Sequence, residues 1–320
     1  MLALIAAALV VSGSLCLWTR PESTCGQFPD EDSFWQFKAK ARAEWDLVAV
    51  GDSRLYRGFS PHAAQYGLGV RARILNFGWS SAGLTTELLD AAAHLLDPAP
   101  GRRGMLIGIT AHSLTDNEDA RANRHWHTVS ARAIGSPRMS ATGADLLGRA
   151  FPSFVPSPIR SLLLLDQADG SEVYLQTYWT DGWVESQTVP RDSERALASY
   201  RKSFLQSAVA QENIDQLAAW IASARRRGII IWCAIPPTTA AMDGLESELG
   251  RFDPVKVRKE VEAAGAQWLN VDRLGYDTYD GSHLEPASAR KWSESMGRAM
   301  ATYWDTGKEP HMGSQNHDAP

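Results

Sequence analysis

Two short motifs far apart in the chain carry the side chains of a nucleophilic serine site. The first is the tripeptide Gly51-Asp52-Ser53, and the second is a D-x-x-H motif that contains Asp280 and His283. A serine hydroxyl is a weak nucleophile, and it needs an imidazole as its base and a carboxylate that fixes the tautomer of the imidazole. We therefore expect Ser53 to be the nucleophile, His283 the base and Asp280 the orienting carboxylate.

The strands that position these motifs are predicted from five short apolar runs rich in β-branched residues. Ser53 comes soon after the first run, which is followed by a glycine that lets the chain turn sharply. His283 follows the last run. Because the carboxyl ends of parallel strands lie at one edge of a sheet, we expect the two side chains to meet there. The five predicted strands are residues 47–50, 74–77, 105–109, 229–235 and 268–271.

Segments of helical periodicity alternate with these strands, and they cover residues 81–96, 193–227, 254–264 and 286–303. The alternation predicts an α/β fold, a flavodoxin-like three-layer α/β/α sandwich with a five-stranded parallel sheet and an insertion after the third strand. We expect one domain over residues 20–304, followed by a polar tail over residues 305–320 that is predicted to be disordered.

The predicted insertion covers about residues 112–189 and lacks the strand–helix rhythm. Apolar and polar residues alternate around Asp181 and Gly182, which is typical of a β-hairpin. We expect the insertion to lie over the carboxyl edge of the sheet and to shape a substrate groove. Trp179 and Trp183 are its predicted substrate contacts, because aromatic faces suit carbohydrate rings; the alternative is that they pack the insertion onto the sheet.

Each motif also has a plainer interpretation. An Asp-Ser pair after a strand is a common helix N-cap, and D-x-x-H is common on solvated turns. A second serine, Ser80, lies in a sequence that nearly matches the G-x-S-x-G nucleophile motif, but the final glycine is missing. If Ser80 were the nucleophile, the Ser53 motif would have no explanation, so we favour Ser53.

The two motifs together resemble those of the SGNH, or GDSL-like, hydrolase superfamily, which carries its serine in G-D-S and its acid–base pair in D-x-x-H. The resemblance covers roughly residues 47–304 without the insertion, and the chain looks closest to membrane-anchored members that act on cell-surface polymers. It implies a serine-dependent hydrolase of acyl or acetyl esters, including esters on carbohydrate. Two alternatives stay open: an O-acyltransferase that decorates an envelope polysaccharide, and a catalytically silent carbohydrate-binding relative.

The resemblance also implies an oxyanion hole made by the N–H of the serine and the N–H of Gly78. The family has a further donor, the asparagine of G-x-N-D after the third strand, and this chain has no asparagine there. We predict that Thr110 and Ser113 supply the donor instead, with His112 and Asn117 as open alternatives. A missing donor in such a hole costs about 3 kcal/mol of transition-state stabilisation.

Composition excludes several classes of function. The chain has 320 residues, 44% of them hydrophobic and 22% charged, which is typical of a globular protein. A formal net charge of −5 gives no basic surface for a phosphate backbone, so nucleic acid is not an expected partner. The cysteines lack metal-ligand spacing, and the pair His125 and His127 lacks an acidic or cysteine partner nearby in the sequence. We predict no metal and no cofactor, and a small-molecule or glycan ester as the partner.

The N-terminal segment, residues 1–19, contains an uncharged apolar run that approaches the length of a bilayer span. It predicts a signal-anchor, with a cleaved signal peptide as the alternative. The chain is therefore expected on the extracytoplasmic face of the cell envelope, membrane-anchored or secreted. Lys and Arg residues follow the run and none precedes it, so the positive-inside rule does not favour export of the C-terminal part.

Overall fold

A parallel sheet of five strands forms the centre of the protein in a computed structural model that describes residues 26–99, 101–135, 140, 142–143 and 173–304. The strands of the described residues are β1 (Leu47–Val50), β2 (Ile74–Asn76), β3 (Gly104–Gly108), β4 (Val173–Tyr178), β5 (Val184–Val189), β6 (Ile230–Ala234) and β7 (Gln267–Trp268). The order across the parallel sheet is β2-β1-β3-β6-β7. Strands β4 and β5 form a separate antiparallel pair.

The described helices are α1 (Glu31–Ala39), α2 (Ser53–Gly58), α3 (Pro61–Leu68), α4 (Thr86–Ala93), α5 (Glu118–Arg121), α6 (Arg124–Arg132), α7 (Arg195–Gln206), α8 (Gln211–Arg226), α9 (Ala240–Glu248), α10 (Pro254–Ala263) and α11 (Pro286–Trp304). A 3₁₀ turn follows β3 at His112–Leu114.

Both faces of the sheet are covered, as the alternation of side chains along β1 shows. Val48 and Val50 belong to one hydrophobic core, to which α4, α8 and α10 contribute. Leu47 and Ala49 belong to a second core, to which α2, α3 and α11 contribute. Because successive side chains of a strand point to opposite faces, the two cores lie on opposite sides of the sheet. The predicted three-layer α/β/α sandwich with five parallel strands is confirmed.

The strand predictions agree with the structure except at the edge of the sheet. Residues 47–50 are a strand as predicted, and the next three predicted strands differ by one residue at one or both ends. The last strand was predicted over residues 268–271, but β7 has only Gln267 and Trp268. It is an edge strand that pairs with β6 alone, so few ladder hydrogen bonds hold the chain extended there.

Two predicted helices have wrong boundaries. The helix predicted over residues 81–96 begins only after Thr85, whose side chain accepts a hydrogen bond from the Leu88 N–H as an N-cap. The helix predicted over residues 193–227 is two helices, α7 and α8. Ser207 is extended between them, and the Ala210 N–H donates to the Leu114 carbonyl, so this linker pairs with another segment instead of continuing the helix.

The hairpin predicted around Asp181 and Gly182 is confirmed by the antiparallel strands β4 and β5. Gly182 has a φ of +85°, which a glycine adopts without strain. The Asp181 carbonyl accepts a hydrogen bond of 2.8 Å from the Asn76 N–H at the end of β2. The turn of the hairpin therefore lies at the carboxyl end of an edge strand of the sheet.

Several predictions concern residues outside the described ranges. These are the N-terminal segment over residues 1–19, the tail over residues 305–320 and the middle of the predicted insertion. Within the ranges that the structure does describe, no helix is both long enough and apolar enough to cross a membrane.

Candidate active site

The hydroxyl of Ser53, the imidazole of His283 and the carboxylate of Asp280 form one chain of hydrogen bonds. The Ser53 Oγ lies 2.9 Å from His283 Nε2, and His283 Nδ1 lies 2.7 Å from Asp280 Oδ2. All three residues are nearly buried, with exposed fractions of 8% for Ser53, 7% for His283 and 8% for Asp280. The structure thus brings together three residues that the sequence places at opposite ends of the domain.

Ser53 owes its position to the junction of β1 and α2. Asp52 caps α2, because its Oδ1 accepts a hydrogen bond of 3.0 Å from the Arg54 N–H, and its Oδ2 accepts one of 2.5 Å from the Thr110 hydroxyl. The N-cap interpretation of the motif is therefore also correct, but it applies to Asp52 and leaves the Ser53 hydroxyl to His283. Ser53 is the first residue of the helix, so its N–H has no acceptor within the helix.

A tight turn holds His283 and its carboxylate in register. Asp280 Oδ1 accepts hydrogen bonds from the N–H groups of Ser282, at 2.9 Å, and His283, at 2.8 Å. Gly281 has a φ of +86°, and its carbonyl accepts hydrogen bonds from both threonines at residues 238–239, after β6. The turn is thus anchored just after β6, at the carboxyl edge of the sheet at which β1 also ends.

The pKa values of both Asp280 and His283 are lowered, so at neutral pH the carboxylate is ionised and the imidazole is neutral. Burial raises the pKa of Asp280, but the charge and hydrogen bonds of His283, with the N–H of Ser282, outweigh burial and lower the pKa to about 2. Burial and the charge of Arg57 lower the pKa of His283, and this effect exceeds the opposing influence of Asp280. A neutral imidazole is the form that accepts a proton from a serine hydroxyl.

The guanidinium of Arg54 links the serine segment to the histidine turn, a contact that sequence analysis missed. Its Nε donates a hydrogen bond of 2.9 Å to the Ser282 hydroxyl, and its Nη2 lies 2.7 Å from Glu246 Oε1. It also lies 5.2 Å from the centre of the Tyr200 ring. The signal in the sequence was the arginine directly after Ser53, but nothing there indicated Glu246 as its partner.

Arg57 is a second missed residue, four positions after Ser53 and on the same side of α2. Its Nη1 donates a hydrogen bond of 3.1 Å to the Tyr279 hydroxyl and lies 3.5 Å from His283 Nε2. The Tyr279 ring stacks on the imidazole with 5.8 Å between ring centres. A positive charge therefore lies beside the imidazole nitrogen that contacts the serine.

The side chains predicted to replace the missing asparagine as oxyanion donors have other partners in the structure. The Thr110 hydroxyl donates to Asp52, and the Ser113 hydroxyl donates to the Thr110 carbonyl at 2.9 Å; both side chains are fully buried. Their hydroxyl protons are thus engaged within the loop after β3. The alternative Asn117 caps α5 through the Ala120 N–H, so it does not fold back toward Ser53. The structure brings none of these three to the serine as a donor.

Gly78 is also engaged, since its N–H donates a hydrogen bond of 3.0 Å to Asn76 Oδ1. A Cβ atom at Gly78 would lie 2.8 Å from Tyr56 Cβ, closer than real Cβ contacts. The structure therefore explains this glycine by the close approach of the loop after β2 to α2. The remaining alternative, His112, packs edge-on against the Tyr200 ring with 6.1 Å between ring centres.

The two tryptophans predicted to bind substrate mainly pack the hairpin onto the domain. Trp183 is 2% exposed, and its Nε1 donates a hydrogen bond of 2.7 Å to the Arg57 carbonyl. Trp179 is partly buried and stacks on Trp183 with 6.0 Å between ring centres. A buried ring offers no face to a sugar, so the structure favours the packing interpretation for Trp183. A substrate contact for Trp179 stays a prediction.

The rival sites have no comparable arrangement. Ser80 forms a side-chain hydrogen bond with Tyr56, and no hydrogen bond among the described residues joins it to a histidine. His125 packs against the Trp35 ring at 4.4 Å, and His127 lies 3.4 Å from a carboxylate oxygen of Glu87. In the described ranges, no cluster of three or more His, Cys, Asp or Glu residues is arranged to hold a metal ion.

Comparisons with known proteins add little. No protein-family model matches the chain, and no curated protein matches it. A solved structure from Streptococcus pneumonia, named for platelet activating factor, is similar to the chain with a TM-score of 0.37 and 15% sequence identity, over 91% of this chain and 97% of that one. A similarity at this level assigns no function.

Proposed function

We propose that the protein is a serine-dependent hydrolase of ester bonds, with Ser53 as nucleophile, His283 as base and Asp280 as orienting carboxylate. The observation that carries this proposal is the continuous chain of hydrogen bonds from the Ser53 hydroxyl through both imidazole nitrogens to a carboxylate. An N-cap and a solvated turn would require neither the contact nor its burial. The resemblance of the two motifs to SGNH hydrolases supports the same proposal.

In the proposed reaction, His283 Nε2 takes the hydroxyl proton as Ser53 Oγ forms a bond to the acyl carbon. The imidazolium, held by Asp280, then gives this proton to the alcohol oxygen as the bond between that oxygen and the acyl carbon breaks. Water then attacks the acyl carbon with the same imidazole as base, the bond between this carbon and Ser53 Oγ breaks, and the imidazolium returns the proton to Oγ as the acid is released. The Ser53 N–H, at the first position of α2, is the proposed donor to the oxyanion.

The proposed substrate is an acyl or acetyl ester on a small molecule or a glycan. The proposed location is the extracytoplasmic face of the envelope, and the uncharged apolar run at the N-terminus supports it. Protease added to intact spheroplasts tests the location, because only a domain on the extracytoplasmic face is digested while the cytoplasmic membrane is intact.

Covalent labelling tests the proposed nucleophile. The full chain is treated with a serine-directed phosphonate, and the modified peptide is mapped by mass spectrometry. We expect the label on Ser53, its loss in Ser53→Ala and its retention in Ser80→Ala, a matched control in the rival motif. A label on Ser80, or no label together with no hydrolysis of 4-nitrophenyl acetate, contradicts the proposal. Transfer of acetyl to a glycan in place of acetate release would favour the O-acyltransferase.

A further inference from the structure

Arg57 lies beside the imidazole nitrogen that, in the proposed reaction, gives a proton to the alcohol half of an ester. In the proposed reaction His283 Nε2 delivers its proton to the alcohol oxygen, so this oxygen must come within hydrogen-bond distance of Nε2. The Arg57 Nη1 lies 3.5 Å from the same nitrogen. Any alcohol that receives the proton is therefore a close neighbour of the guanidinium.

The guanidinium has no carboxylate partner in the part of the chain that the structure describes. Its neighbours include the Tyr279 hydroxyl and the rings of Tyr56, 5.0 Å away, and Tyr174, 5.6 Å away. The charge of Asp280 acts on it without direct contact and helps to raise the pKa of Arg57. Its Nε is buried and, among the described residues, has no hydrogen-bond acceptor. A buried donor without an acceptor is costly unless a further group pairs with it.

The neighbouring arginine shows what a paired cation looks like in this protein. Arg54 lies on the same short helix, is buried, and pairs with the Glu246 carboxylate, although its Nη1, like the Arg57 Nε, has no hydrogen-bond acceptor among the described residues. Among the described residues, Arg54 contacts a carboxylate and Arg57 contacts tyrosines, although Arg57 is partly exposed and Arg54 is not. This part of the chain therefore provides no anion in direct contact with Arg57.

Building on the proposed ester hydrolysis, we propose that Arg57 binds a carboxylate on the alcohol half of the substrate. The substrate class is thus an ester of a carboxylate-bearing alcohol, such as an acidic sugar. The planar guanidinium matches the geometry of a carboxylate and pairs with it through two parallel hydrogen bonds. The carboxylate is unchanged by the reaction: the bond between the acyl carbon and the alcohol oxygen breaks, and the alcohol leaves with the proton from His283.

Paired esters test the proposal. The probes are 4-acetoxybenzoate and its methyl ester, whose alcohol halves differ in charge, and each kcat/KM is divided by the rate constant of hydroxide hydrolysis of the same ester. We expect the full chain to prefer the anionic ester by about 10- to 100-fold, the range expected for hydrogen bonds to a charged group. Arg57→Gln should bring the ratio close to one, and Arg57→Lys, which keeps the charge and guards against misfolding, should keep part of it.

Arg298→Gln is the matched control, because it removes an exposed arginine of α11 that pairs with Glu294. We expect it to keep the wild-type ratio. An equal loss of activity on both esters in Arg57→Gln would mean that Arg57 acts on the oxyanion or on His283, and would overturn the proposal. A wild-type ratio near one would overturn it as well, while phosphonate labelling of Ser53 would show that the hydrolase proposal still stands.

A binding measurement decides the proposal without turnover. Calorimetry of the Ser53→Ala variant compares 4-hydroxybenzoate with its methyl ester. We expect tighter binding of the anion, and loss of that preference when Arg57→Gln is added. Equal binding of the two compounds contradicts the anion site. A preference for the anion in a protein that neither hydrolyses esters nor takes up the phosphonate would support the site and reject the enzyme.

Discussion

Arg54 and Glu246 form a buried ion pair, with 2.7 Å between Nη2 and Oε1, that joins the start of α2 to the end of α9. Through its Nε the same guanidinium holds the Ser282 hydroxyl, between the two residues of the proposed base and carboxylate. One side chain therefore fixes the segment of the serine relative to the turn of the histidine. We regard Arg54 as a positioning residue, since it contacts none of the three reacting groups directly.

Removal of one partner of this pair should lower stability strongly. We expect Glu246→Gln to reduce the free energy of unfolding by about 3–5 kcal/mol, because it leaves the Arg54 charge buried without its counter-charge. Urea denaturation measures the change, with Glu294→Gln on the exposed face of α11 as the control, expected within about 0.5 kcal/mol of wild type. If Glu246→Gln changed stability no more than this control, the pair would not hold the two helices together.

A double-mutant cycle separates the pair from its surroundings. The double variant Arg54→Met with Glu246→Leu removes both charges. By urea denaturation, it should lose less stability than the sum of the losses in the single variants Arg54→Met and Glu246→Leu. Additive losses would show that the two groups do not interact.

The pH dependence of kcat/KM should reflect the lowered pKa of His283. Burial and the positive charges of Arg57 and Arg54 disfavour the imidazolium, and they outweigh Asp280, which favours it. Since the neutral imidazole is the active form, the acid limb should have its midpoint below about 6.5, the ordinary histidine value. Arg57→Gln removes one positive charge, so the midpoint should move to higher pH. Rates on 4-nitrophenyl acetate between about pH 4 and 8 test both expectations, and a shift to lower pH would contradict the electrostatic account.

Asp280→Asn should lower kcat on the order of 10⁴-fold. The amide carries no charge to stabilise the imidazolium and favours the wrong tautomer of His283. Single-turnover kinetics on 4-nitrophenyl acetate measure the effect. Because Asp280 also accepts two N–H bonds within its turn, circular dichroism must show a folded variant before the rates are compared. A loss of less than about tenfold would leave Asp280 with a structural role only.

Gly281→Ala should disrupt the histidine turn. A Cβ atom there would lie 2.0 Å from the Ser193 carbonyl oxygen, so the turn or its neighbour must move. Gly275→Ala is a matched control, since Gly275 also has a positive φ, of +74°, but a Cβ atom would meet nothing within 4 Å. We expect the control to cost about 1–2 kcal/mol and to keep esterase activity. Gly281→Ala should cost more and lose activity, measured by urea denaturation and ester turnover; equal effects would contradict the steric account.

The parts of this protein that depend on local pattern were predictable from its sequence. Apolar runs of strand length predicted the five-stranded sheet, and the spacing of Asp280 and His283 predicted a contact that one turn enforces. The meeting of Ser53 with His283 was also predictable, because parallel strands align their carboxyl ends at one edge of a sheet. The sequence did not predict the shortness of the edge strand β7 or the break between α7 and α8. Their limits depend on pairing with segments distant in the sequence.

The donors and charges around the serine were decided by tertiary structure alone. Nothing in the sequence showed that the hydroxyl protons of Thr110 and Ser113 have acceptors inside the protein. Nor did it show that the Asn76 side chain accepts a hydrogen bond from the Gly78 N–H. Nor did it distinguish Arg54, which meets a carboxylate, from Arg57, which meets tyrosines. A residue type states which hydrogen bonds and charges a side chain has to offer, whereas the packing of distant segments determines which of them remain for a substrate.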